Sequence, residues 1–125
     1  MGLTDKLDQP LVRALRGGAA ALPEDIERLT GYMRLIQQLL GEKAAEHEPT
    51  WAQACASAAE IETLQGLEAA VVERAISLRV DNLDGVLTKF GIWRALVDDG
   101  THGLRDRLVL SVEADIQSIV RRSRR

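Results

Sequence analysis

Apolar residues recur at helical spacing along most of the chain, and nowhere do they alternate with the period of two that marks a half-buried strand. The first long signal runs from about Pro23 to His47. Ile26, Leu29, Met33, Ile36 and Leu40 follow one another at steps of three and four, and Tyr32, Leu35 and Leu39 widen the stripe. Pro23 suits the first helical position, and Glu24, Asp25 and Glu27 place negative charge at the positive end of the helix dipole.

A break follows at His47-Glu48-Pro49, because proline disfavours helical geometry at the residue before it. Thr50 with Gln53 three residues on reads as a capping box that restarts a helix at once. So short a joint predicts an antiparallel helical hairpin. The second helix, from Thr50 to about Leu78, opens with alanines on several faces and continues with Ile61, Leu64, Leu67, Val71, Ala75 and Leu78, flanked by Val72 and Ile76. At 1.5 Å per residue it would span about 43 Å. Its apolar arc is wider than one partner helix covers, which predicts either a central position or pairing between subunits.

Beyond a joint at 79–82, with Asp81 or Asn82 as cap, Leu83, Val86, Leu87, Phe90, Trp93 and Val97 predict a further helix. Gly85 and Gly91, six apart within it, read as places of close packing. A polar loop over 98–103 precedes a last helix, about Leu104 to Arg122, with Leu108, Val112, Ile116 and Ile119 on one face. Before all of these, Leu11, Val12 and Leu15 could line a short helix ended by Gly17 and Gly18. The expected architecture is therefore all-α: an elongated four-helix bundle over 23–125, built on a helical hairpin, with a weakly structured N-terminal arm over 1–22.

Composition narrows the picture. The chain has 125 residues, enough for one domain, and only 3% are aromatic, so Leu, Ile, Val and Ala must build the core. A formal net charge of -3 argues against a dedicated nucleic-acid binder, which would be clearly basic. Cys55 is the only cysteine and can form neither an intrachain disulfide nor a structural zinc site. The first residues are charged where a signal peptide needs an apolar run, and no stretch is apolar enough to span a membrane. A cytoplasmic location is the expectation.

Candidate chemistry is sparse. Neither His47 nor His102 sits mid-helix, as a phosphotransfer histidine would, and neither follows a glutamate by three residues as di-iron bundles require. Two acid pairs, Glu24 with Glu27 and Asp81 with Asp84, have the helical spacing that magnesium-dependent nucleotide hydrolases use, yet each opens a helix and is explained by capping. Cys55 lies among alanines, with no base beside it in sequence to activate its thiol. No catalytic, metal or cofactor-binding residue is assigned.

Two features remain. Phe90 and Trp93 read as core residues, whereas the arc of Ile61, Leu64, Leu67 and Val71, with Trp51 at its edge, reads as surface for a partner. The leading functional expectation is a non-enzymatic protein–protein interaction or regulatory module, working as a homodimer or on another protein. The second is a nucleic-acid-associated regulator using the basic tail Arg121, Arg122, Arg124 and Arg125, for which complementing the helix dipole is the plainer role. A small helical magnesium-dependent nucleotide hydrolase is the third.

Overall fold

A computed structural model describes residues 3–44, 51–96 and 103–124, and the side chains of all of these except Thr4, Ala44 and 51–57. The chain is all-α. Five α-helices occur among the described residues: α1 (Gln9–Gly17), α2 (Ile26–Ala44), α3 (Trp51–Ser77), α4 (Leu83–Ala95) and α5 (Leu104–Ser123). Short 3-10 turns at Leu3–Lys6 and Gly18–Ala21 flank α1.

The expected hairpin is present. Lys43 pairs with Glu60 at 2.9 Å, whereas Arg74, late in α3, reaches back to Glu24 at 3.2 Å, just ahead of α2. Contacts that run down one helix as they run up the other make α2 and α3 antiparallel. The joint between them, with His47, Pro49 and the Thr50 cap, lies outside the described residues. α2 begins three residues later than Pro23 suggests, because Asp25 is the working cap. Its Oδ1 accepts from the backbone N–H of Glu27 at 3.1 Å and of Arg28 at 3.4 Å.

Each of the four longer helices packs on two of the other three. α2 lies against α3 and α4, and α5 lies against the same two, which closes a ring. The core inside it holds Leu29, Met33 and Ile36 from α2, Leu64, Leu67, Val71, Val72 and Ala75 from α3, Ile92 from α4, and Leu108 from α5. The α2 and α3 stripes are those the periodicity predicts.

The N-terminal stretch contains the short helix ended by Gly17 and Gly18 that the sequence suggests, but its attachment differs from expectation. It is not a weakly structured arm: α1 packs on α3, and Leu7, Leu11, Ala14 and Leu22 are buried in the common core. Gly18 ends α1 with a positive φ of 66°, a conformation that suits glycine. Arg74 then fastens the connection to α2, donating from Nε to the Leu22 carbonyl at 3.1 Å. Leu11 is wholly buried where Val12 and Leu15 are exposed, so a single leucine face does the docking.

Candidate functional site

The described centre of the α3 arc is covered within the chain. Leu64, Leu67 and Val71 are buried within the chain, Ile61 is half-buried, and α1, α2 and α5 together cover what one helix could not. For Leu64, Leu67 and Val71 the expectation of an intersubunit surface is corrected on that ground. Trp51 and Cys55 have side chains outside the described set, and His47, His102 and Arg125 lie outside the described residues altogether.

Among the described residues, most of the exposed large apolar side chains lie on α4 and α5, with Val12 and Leu15 of α1 the others. Along α4 the residues turned inward are Val86, Lys89 and Ile92, with Leu96 just beyond the helix. Leu83 is 65% exposed, Leu87 68% and Phe90 39%, although all three had been expected on the inner stripe. Their spacing of four and three makes one outward stripe about two turns long. On α5, Leu104, Leu108, Val112 and Asp115 face inward, whereas Val109, Ile116 and Val120 form a second exposed stripe. Ile116 is thus the other residue whose expected place in the core is corrected.

A polar cluster explains why the inward faces are phased this way. Lys89 is fully buried, and its ammonium donates to three acceptors: the Leu78 carbonyl at 2.7 Å, Ser111 Oγ at 2.6 Å and Asp115 Oδ2 at 2.7 Å. Ser111 in turn donates to the Ile76 carbonyl at 2.9 Å. Ile76 and Leu78 stand at the end of α3, where carbonyls have no partner within their helix. Lys89 therefore caps α3 from another helix and puts positive charge at its negative end. With three donors used, the ammonium has no unmet hydrogen-bonding need. Turning Lys89 inward turns Leu83, Leu87 and Phe90 outward.

The α4 and α5 helices run antiparallel, since Lys89 meets Asp115 while Trp93, later in α4, meets Arg105 near the start of α5. The Arg105 guanidinium lies over the Trp93 ring at 4.3 Å, and the Phe90 ring packs on Trp93 with centroids 4.9 Å apart. Phe90, Trp93 and Arg105 thereby link the outer stripe of α4 to α5. At the other end of α4, Asn82 caps the helix, accepting from the backbone N–H of Gly85 at 2.7 Å.

Two hollows flank the joint between α3 and α4. One, of about 510 Å³, brings together the two acid pairs singled out by spacing, Glu24 with Glu27 and Asp81 with Asp84. One carboxylate of each pair has other work: Glu24 pairs with Arg74, and Asp81 stands 4.0 Å from Arg122. Among the described residues no three His, Cys, Asp or Glu side chains are placed to hold a metal ion. The other hollow, of about 450 Å³, is lined by Arg79, Asp81, Asp115, Arg121 and Arg122 among others. The basic tail is not a frayed arm over its described length. α5 continues through Arg121 and Arg122, and Arg122 donates to the Asp81 carbonyl at 2.7 Å. Arg124 follows directly as the C-terminal cap residue.

No family model, no curated protein and no solved structure matches the chain. Among the described residues, no helix is long and apolar enough to cross a membrane. The functional reading therefore stands on the surface geometry.

Proposed function

We propose that this chain works by protein–protein contact, as a homodimer, through the outer stripe of α4 and the adjoining side of α5. The observation that supports it is the continuous exposure of Leu83, Leu87 and Phe90 on a helix held rigidly from behind by the Lys89 cluster. Single exposed leucines are ordinary on a protein surface, but an aligned stripe with a second stripe beside it is a contact surface. Burying a leucine fully contributes about 1.5–3 kcal/mol, which here must offset the lost translational and rotational freedom of association. The nucleic-acid reading has weaker support. The net charge is -3, and Arg122 is already engaged by the α3–α4 joint.

Light scattering on the purified chain across a range of concentrations tests the proposal. The expected result is a dimer mass that falls to a monomer mass in the Leu87→Arg variant, with the helical circular dichroism unchanged. A parent chain that stays monomeric throughout, or a dimer indifferent to Leu87→Arg and Phe90→Arg, overturns it.

A further inference from the structure

The outermost ridge of α4 reads Asp84, Leu87, Gly91 and Arg94, at steps of three, four and three, and all four residues are exposed. A Cβ built on Gly91 would meet nothing within 4 Å, so packing inside the chain does not require glycine there. A glycine within a helix costs about 1 kcal/mol relative to alanine, and among the described residues no close contact calls for it. What it leaves is a notch one helical turn from the protruding side chain of Leu87. The ends of the ridge carry opposite charges, Asp84 near the start of the helix and Arg94 near its end. Among the described residues neither side chain makes an ion pair.

These positions are symmetric about position 89. Asp84 lies as far before it as Arg94 lies after it, and Leu87 and Gly91 are related in the same way. A two-fold axis makes each patch meet its own copy, so such a ridge complements itself only when the helices run antiparallel. Building on the contact function proposed above, we infer that the occupant of this face is a second copy of the chain, its α4 laid antiparallel on the first about an axis at position 89. Each Leu87 then seats over the partner's Gly91, and each Asp84 pairs with the partner's Arg94. Small residues at a crossing allow two helix backbones to approach closely, and a protruding side chain fills the hole they leave. The two charge pairs fix register and direction, because a parallel or shifted pairing would set like charges together or leave the ends unmatched.

Charge exchange tests the register. Asp84→Arg and Arg94→Asp are each expected to weaken self-association at least about tenfold in sedimentation equilibrium, and the double variant to recover to within about threefold of the parent. Gly91→Leu gives a second measure that does not rely on the charges. Its side chain points into open space in the single chain, so the helix is preserved, while filling the notch is expected to weaken the dimer at least about tenfold. A dimer that Leu87→Arg disrupts but that ignores Gly91→Leu, or is not restored by the double exchange, overturns the register and leaves the contact function standing. A parent chain that is monomeric at every concentration overturns both.

Discussion

Lys89 Nζ and Asp115 Oδ2 stand 2.7 Å apart in the interior, joining α4 to α5 directly behind the exposed stripe. A buried ion pair of this kind is a weak source of net stability but a strong constraint, since either charge left alone is expensive to keep out of water. Lys89→Met is therefore expected to cost about 3–5 kcal/mol in urea unfolding, chiefly through the stranded Asp115 carboxylate. Combining it with Asp115→Leu should recover most of that loss, since two apolar side chains replace the pair. A loss under about 1 kcal/mol for Lys89→Met alone would show that the pair does not hold the helices in phase.

Gly85 and Gly91 share a helix but answer to different constraints. A Cβ on Gly85 would sit 2.9 Å from Val80 Cβ, whereas one on Gly91 would meet open space. Gly91→Ala should stabilise the dilute monomer by up to about 1 kcal/mol through helix propensity. Gly85→Ala should lower stability despite the same gain, because the chain at Val80 must move away. Thermal or urea melts of the two variants, side by side at low concentration, check the opposite signs.

The contrast between these glycines shows what periodicity can reach. The α2 and α3 stripes were legible because leucine, isoleucine and methionine occupied successive inward positions, from Leu29 to Ile36 and from Leu64 to Ala75. On α4 the same method chose Leu83, Leu87 and Phe90, since a lysine at the true inward position breaks the apolar pattern. Lys89 does fall in step with Val86, Ile92 and Leu96, and Asp115 with Leu108 and Val112. Opposite charges on two such stripes were the available signal, but their meeting depends on how the helices pack. The α3 arc was legible only as two alternatives, a central helix or a subunit interface, and choosing between them required α1 to be a docked helix. The meeting of the Glu24 and Asp81 pairs on one hollow also follows from the ring of helices, not from local spacing.

The docking of α1 predicts that the first residues matter to the stability of the whole. Leu11 is fully buried in the core shared with α3. Leu11→Ala should cost about 2–5 kcal/mol, the range for deleting a buried leucine side chain and leaving a cavity. Val12→Ala, one position round the same helix and exposed, should change stability by no more than about 0.5 kcal/mol. Chemical denaturation of both variants distinguishes a docked helix from a loose arm, for which both changes would be silent.

Glu68 supplies the pH dependence. It is half-buried on α3, and loss of solvent raises its pKa above the ordinary carboxylate value, while a hydrogen bond from Gln37 acts in the opposite direction. Gln37 is itself fixed from α4, donating from Nε2 to the Ala95 carbonyl at 2.7 Å. A carboxyl whose pKa rises on folding binds its proton more tightly in the native chain than in the unfolded one. Through this group, then, stability is greatest below the unfolded-state pKa and declines as pH climbs from there through the native value. Glu68→Gln removes the ionisation and keeps an oxygen that can accept from Gln37. The variant should be more stable than the parent near neutral pH, and the difference should shrink on acidification. Urea midpoints measured from about pH 4 to about pH 8 check the sign. A variant that loses stability near neutral pH would mean that the charged carboxylate, held by Gln37, is the form the fold prefers.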